Sequence, residues 1–342
     1  MKKLTILLLV FCQTIYGQTA NLRKIDTKVK ATFRCLSIPD DTVAWVGGTE
    51  GWVGVSGNGG NDWTFGQVKG FETCDFRSLY AFDGKTAVIA NAGAPAYILR
   101  TEDGGKNWKV VYKNTDSAAF FDGIDFWDNK NGIIYGDPLK GRMLVLNTTD
   151  GGKTWKEAPD KSRPMLEKNE ASFAASGTAI RCMKAQKVVI ATGGRLSRLF
   201  ISDDAGGIWR YKPTPIMQGR TTTGAFSVAC WDDNNAIIVG GDYKRDSLSV
   251  DNVFYTKNGG SSWVKPTEGT RGYRECVEYI SQNVVIAVGP GGVDVSNSGG
   301  MTWKPLSDDK GLHVIRKSRK GKVVILAGSE GNIERLDYST KK

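Results

Sequence analysis

The 342-residue sequence predicts an all-β chain folded as a seven-bladed β-propeller with Asp-box turns, its ring closed by an N-terminal strand that completes the last blade. Three observations lead there. A short glycine-turn box is written six times, the boxes recur at the length of one propeller blade, and the apolar runs between them have strand length with no useful helical periodicity.

The boxes are SGNGGNDW (Ser56–Trp63), TEDGGKNW (Thr101–Trp108), TTDGGKTW (Thr148–Trp155), SDDAGGIW (Ser202–Trp209), TKNGGSSW (Thr256–Trp263) and SNSGGMTW (Ser296–Trp303). Each opens on Ser or Thr and closes on Trp, usually with Asp or Asn two residues after the opening. A short polar side chain bonds amides within a tight turn, and glycine supplies the positive φ that the bend needs. Asp103, Asp150, Asp204 and Asn258 are therefore read as structural, together with Trp63, Trp108, Trp155, Trp209, Trp263 and Trp303. These tryptophans are 45, 47, 54, 54 and 40 residues apart, the span of four strands and their turns.

In chain order, Lys2 and Lys3 precede an apolar run from Leu4 to Phe11, and Gly17 follows: residues 1–17 read as a secretory signal peptide cleaved after Gly17. A lipoprotein reading through Cys12 is disfavoured by bulky Phe11. The protein is expected to be exported to the periplasm or beyond, and no later segment reads as a membrane span. Residues 18–342 are then one propeller domain. Each unit opens on an apolar strand such as FRCLSI (Phe33–Ile38), and a Val/Ile run such as VVIATGG (Val188–Gly194) follows, as expected of strands buried on both faces. The seventh unit, Leu312–Leu336, supplies three strands and lacks a box. Asn21–Lys30 is the expected donor of its fourth.

Five cysteines lie beyond the leader: Cys35, Cys74, Cys182, Cys230 and Cys276. Buried free thiols are the favoured reading, with a Cys35–Cys74 bridge left open. The net charge of +10 is spread without an aromatic-interleaved basic stripe, which argues against nucleic acid.

The T-x-D-G-G-x-T-W boxes resemble the bacterial neuraminidase (Asp-box) repeat. Joined to the FR-x-[ILV] openers, they resemble the photosystem II stability/assembly factor family of seven-bladed propellers over Asn21–Leu336. The phrases FWDNKNGIIYGDP, NEASFAASGT, GGDY, GYRE and AVGPGG look closest to a secreted bacterial branch that carries the loose label oxidoreductase. The resemblance implies a binding or assembly role rather than a defined chemistry.

Long insertions, Gly136–Arg142, Lys156–Gly177 and Gly240–Asn252, all fall on the face opposite the boxes. Asp137, Glu170, Asp242 and Tyr243 are the candidates there, with Arg142 and Lys244 beside them. Aligning the opening strands places Arg34, Arg77, Asp122, Arg181, Ser227, Arg274 and His313 at one position around the channel mouth. Four arginines there would suit carboxylates or phosphates; alternatively they pair with Asp122, Glu275 and carbonyls to lock the blades. A sialidase-like hydrolase would pair an arginine triad with a Tyr–Glu nucleophile, and no FRIP motif or assigned Tyr–Glu pair accompanies the arginines; a different glycosidase would need two carboxylates, for which Asp137 and Asp242 are the candidates. An oxidoreductase would need a cofactor, yet there is no GxGxxG unit, CxxC pair or metal-spaced histidine set. The expectation is a monomeric, non-catalytic binding propeller with no cofactor or metal, whose partner is a protein or an acidic peptide.

Overall fold

The computed structural model describes residues 13–15 and 18–340. The apolar runs become strands of seven antiparallel sheets arranged as blades. Blade 1 is Phe33–Ser37, Ala44–Gly48, Trp52–Ser56 and Thr64–Gln67, and blade 2 is Phe76–Ala81, Ala87–Asn91, Ala96–Thr101 and Lys109–Asn114. Blade 3 follows with Phe121–Phe126, Gly132–Leu139, Arg142–Thr148 and Lys156–Glu157, and blade 4 with Ile180–Cys182, Val188–Ala191, Arg198–Ser202 and Arg210–Pro213. Blade 5 has Thr223–Cys230, Ala236–Asp242 and Val253–Thr256, and blade 6 has Cys276–Tyr279, Val285–Gly289, Gly292–Ser296 and Lys304–Ser307. Blade 7 is Leu312–Lys317, Val324–Gly328, Ile333–Thr340 and, on its outside, Gln18–Ile25. Among the described residues there is no α-helix, only the two 3-10 turns Asp160–Ser162 and Ser329–Gly331.

The expected fourth strand of blade 5 is reduced to a single bridge between Tyr255 and Val264. Pro266, two residues on, has no N–H to continue the ladder. Blade 5 instead gains two short strands from elsewhere, Gly193–Gly194 and Glu170–Ala171, laid against the start of Thr223–Cys230.

Second strands are buried along their length in blades 1, 2, 4, 5, 6 and 7, because successive residues face different neighbours. Ile134 packs with blade 2 residues Val88 and Ile98, whereas Ile133 packs with blade 4 residues Ile190 and Phe200. Ile237 likewise faces Val285 of blade 6, and Ile238 faces blade 4. The cluster between blades 6 and 7 continues through Ile315 and Leu326 to Leu36 and Val46 of blade 1, so the apolar seam runs round the whole ring.

The N-terminal strand pairs antiparallel with Ile333–Thr340 from Gln18↔Thr340 to Ile25↔Ile333. It ends at Ile25 rather than at Lys30. Lys28 takes a left-handed φ of 59°, and the Thr27 hydroxyl donates to the Gly331 carbonyl at 2.8 Å. The proposed leader, Met1–Gly17, lies outside the described residues except for Gln13–Ile15, which pairs with Gln18–Ala20. All five cysteines beyond the leader are free, including Cys35 and Cys74. Cys35 donates to the Phe76 carbonyl at 3.1 Å, and burial pushes its thiol up.

Leu22 and Ile25 pack against the core shared by blades 6, 7 and 1. Their burial alone is worth about 3 kcal/mol. Deleting Gln18–Ile25 should therefore lower the melting temperature of the whole chain and expose a sheet edge that promotes association. Unchanged melting of the truncated protein would show that this strand is a dispensable tail.

Candidate functional site

Antiparallel pairing sorts the turns onto two faces. The boxes join third and fourth strands and share one face with the first-to-second loops; second-to-third loops and blade crossings share the other. The box turns are closed by their own side chains. In Thr101–Trp108, the Thr101 hydroxyl accepts from the Gly105 amide at 3.1 Å and donates to Asp103 at 2.9 Å, while Asp103 accepts from the Asn107 amide at 3.0 Å. Gly104 and Gly105 have φ of 78° and 83°, the left-handed region that L side chains avoid. Ser56, Thr148, Ser202, Thr256 and Ser296 repeat the hydroxyl's contact with the amide of the equivalent glycine, which is Gly206 in the fourth box. The Trp63, Trp108, Trp209 and Trp303 indoles donate to that glycine's carbonyl. Bonds from Asn107 hold the Asp103 carboxyl down at about 2.

On the opposite face, a bulge near the start of the innermost strand decides which residues reach the channel. In blades 1, 2, 3, 5 and 7 the pairing skips Arg34, Arg77, Asp122, Phe226 and His313 respectively. Tight glycines accompany the skip: a Cβ on Gly136 would lie 1.7 Å from the Phe120 carbonyl oxygen, and one on Gly328 1.9 Å from that of Gly311. The same register puts Thr178 and Glu275 at this level in blades 4 and 6, since Ile180 pairs with Ile190 and Cys276 with Val288.

This corrects three of the seven expected ring members. Ser227 lies one residue beyond the bulge, inside the wall, bonded to Thr178 at 2.6 Å. Arg274 lies one residue before it, wholly buried in blade 6 and paired with Asp294 at 2.5 Å. Arg181 lies three residues further along its strand and lines the cavity at the channel's other end, where it bonds Glu278 at 2.9 Å. A one-residue slip sends a strand side chain to the other face. Of the four arginines expected there, Arg34 and Arg77 stand at the mouth.

Both are engaged. Arg34 donates to Glu275 at 3.0 Å and to the Ala175 carbonyl; Arg77 donates to Asp75 at 2.7 Å and to the Ala174 carbonyl. His313 bridges Glu275 at 2.7 Å and Ser329 at 2.8 Å. Ser176 reaches the Glu275 carbonyl at 2.8 Å. The insertion Lys156–Gly177 thus ends in a strap, Ala171–Gly177, tied across the mouth.

Beside the strap lies a cavity of about 400 Å³, lined by Arg34, Arg77, Asp122, Asp137, Glu275 and an aromatic wall. Phe173 stacks on Phe226 with centroids 3.9 Å apart; Tyr273 meets Phe226 edge-on at 4.7 Å, and the exposed Tyr243 leans over Phe226 at 6.2 Å. Phe173, Phe226 and Tyr273 had no motif to announce them. The phrases NEASFAASGT and GYRE contain two of the three, but their convergence depends on contacts between distant segments.

Asp122 is wholly buried, and neither of its carboxylate oxygens has a hydrogen-bond partner. Burial first, and then the charge of Asp137, push its carboxyl well above the usual range, against a downward pull from Arg77. Asp137 is raised by burial too, and accepts one bond, from the Ser172 amide at 3.3 Å. The other expected carboxylates are not in this cavity. Glu170 accepts from Arg198 at 2.9 and 2.5 Å and from Thr192 at 2.7 Å, a buried ion pair that anchors the insertion. Asp242 is bonded by Arg245 at 2.8 Å and the Lys244 amide at 3.0 Å, so Asp137 is grouped with Asp122 rather than with Asp242. Burial opposes ionisation of Asp242, but these bonds outweigh it and hold its carboxyl below the ordinary range. Arg142 donates to the Arg163 carbonyl of the following insertion, and the Lys244 ammonium sits over its neighbour Tyr243. Among the described residues no group of three or more His, Cys, Asp or Glu is placed to hold a metal ion.

No family model and no curated protein matches the chain. Solved structures do. One is YCF48 bound to D1 peptide, at a TM-score of 0.65 and 15% identity, covering 92% of this chain and 96% of that one. YCF48 from Cyanidioschyzon merolae gives 0.67 and 18%, covering 92% and 98%. The fold is a seven-bladed β-propeller. A GH74 xyloglucanase from Xanthomonas campestris also matches, at 0.64 and 12% identity over 93% of this chain but 55% of its own length.

Two substitutions separate scaffold from site. Asp204 accepts from the Ile208 and Gly207 amides at 2.9 and 3.0 Å and from Ser202 at 2.7 Å, with its carboxyl lowered chiefly by Ile208. Asp204→Ala should cost about 0.5 to 1 kcal/mol, discounted for exposure. Because the folded carboxyl titrates below its unfolded value, that contribution is present above about pH 4 and is lost as pH falls through the folded value. A melt series at pH 7 and pH 3 checks this: the difference between the two proteins should shrink at pH 3. Glu170→Ala should cost more, about 3 kcal/mol, because it leaves Arg198 buried without its carboxylate. Retention of the parent's melting temperature would free Glu170 for a binding role.

Proposed function

We propose that this chain is an exported, non-catalytic binding or assembly propeller that takes up a segment of a partner protein at the mouth opposite the turn boxes. The observation that carries the reading is the cavity beside the strap. Its walls come from the strap, the loop after Gly240 and the starts of several inner strands, and a half-exposed tyrosine stands at its rim. Aromatic side chains held by one another in this way supply large contact area at little entropic cost. The rigid ring presents the loops of one face together, as recognition scaffolds do. A propeller of the same fold, YCF48, is bound to D1 peptide, which supports a peptide as ligand class.

The four-arginine grip expected from sequence does not support this reading, since Arg274 belongs to the core and Arg181 to the other end of the channel. The test is affinity capture from the native cell envelope with the parent chain and a Phe173→Ala/Tyr243→Ala variant of matched melting temperature. A protein held by the parent and lost by the variant is the expected result. Identical captures, or turnover of a glycoside that depends on Asp137, would overturn it.

A further inference from the structure

The charges at the mouth do not balance. Glu275 is held by Arg34 and His313, and Asp75 by Arg77, so the two guanidinium groups lining the cavity are already committed to carboxylates. Asp122 and Asp137 remain. One has neither oxygen bonded, and the other has a single amide bond. A buried acceptor without a donor is costly, by about 1 to 3 kcal/mol, and more when charged. It is retained where something else supplies the donor.

The surroundings define that donor. The cavity opens beside the faces and edges of Phe120, Phe173, Phe226 and Tyr243. An anion would meet two uncompensated carboxylates there, and a neutral apolar group would leave them unpaired. An alkylammonium group satisfies both features: its three N–H donors meet carboxylate oxygens, and its positive charge is attracted to aromatic faces. We propose that Asp122 and Asp137 form the floor of a binding site for an alkylammonium group, entered past Tyr243 and the stacked Phe173–Phe226 pair. The inference rests on the reading of this mouth as a partner-binding surface and names the chemistry it selects. A lysine side chain and a free chain terminus offer the same group.

Titration of Asp122 adds a second signature. The charged or ionisable groups that act on it or feel its charge are Asp137, Arg77 and Tyr135. An incoming cation favours the ionised carboxylate, so binding releases a proton and tightens as pH rises.

The experiment is calorimetric titration of the full chain with three blocked or half-blocked tripeptides: acetyl-Ala-Lys-Ala-amide, Ala-Ala-Ala-amide with a free amino terminus, and acetyl-Ala-Glu-Ala-amide. Each is run against the parent, Asp122→Asn and Asp137→Asn, at two pH values. The lysine peptide should bind the parent, weaken at least tenfold in Asp122→Asn, and bind more tightly at the higher pH. Equal binding of the free-terminus peptide would show that the site reads the ammonium whichever group carries it and would still support the site. Both substitutions are near-isosteric, and relief of an unpaired carboxyl should leave the melting temperature of Asp122→Asn level or higher. If Asp122→Asn unfolds, Asp137→Asn carries the same comparison. Preference for the glutamate peptide, absence of lysine-peptide binding, or unchanged binding in both variants would overturn the site. A partner captured through Phe173 and Tyr243 despite that result would leave the broader reading standing, whereas ammonium binding without capture would sink the broader reading alone.

Discussion

A blade with two apolar faces cannot bury either one by itself, and this constraint organises the molecule. Ile133 and Ile134 are consecutive, yet they belong to cores on opposite sides of blade 3. Every blade therefore needs a neighbour on each side, and a row of such blades is stable only when its first and last members meet. They meet where Ile315 and Leu326 of blade 7 pack with Leu36 and Val46 of blade 1. The strand Gln18–Ile25 then lies in the last blade although it comes first in the chain, so both ends of the described chain are held in one sheet.

Ring packing also explains how side chains reach the channel. A residue in regular pairing points into one of the two seams, where only apolar or fully bonded groups are tolerated. The bulge at the start of the inner strands of blades 1, 2, 3, 5 and 7 releases one residue in each from that rule. Gly136, Gly240 and Gly328 allow it, because each lets a carbonyl approach closer than any Cβ would permit. What stands on the bulge varies freely between blades, from Arg34 to Phe226 to His313, while its neighbours remain core. The propeller thus separates a uniform scaffold from a variable mouth, and the box turns belong to the scaffold through their self-bonded Ser, Thr and Asp side chains.

That separation decides what could be read from sequence. Boxes, strand runs and blade count repeat, so each copy corroborates the others and a local error is outvoted. Mouth residues occur once each, and their positions depend on a bulge that the residues of the opening strand do not themselves mark. The FR openers align correctly in blades 1 and 2, where Arg34 and Arg77 are on the bulge. The RE pair of blade 6 is offset by one, so Glu275 faces the channel while Arg274 turns inward to Asp294. In blade 4 the arginine falls three residues late, after the strap has already crossed the mouth. Asp122 was legible as a mouth residue, but its lack of partners was not. That property is set by where Arg77 spends its donors, on Asp75 and on the Ala174 carbonyl of a segment nearly a hundred residues away.

Once these positions are corrected, the two ends of the channel carry opposite character. At the box-face end, Arg181, Arg316, Lys317 and Arg319 line a cavity of about 240 Å³ with Glu278 and Asp125 as the acids. Arg181 and Arg316 share Glu278, and Arg319 is stacked over Tyr80 with its centre 4.2 Å from the ring. At the other end Asp122 and Asp137 stand without a guanidinium of their own. Within a low-dielectric wall such charges act on one another more strongly than they would in water. The basic end therefore disfavours a cation that enters there, which agrees with the ammonium site proposed at the opposite end. Charge order along the channel and loop length on one face are independent features of the chain, set by different residues, and both support the mouth proposed here as the binding surface.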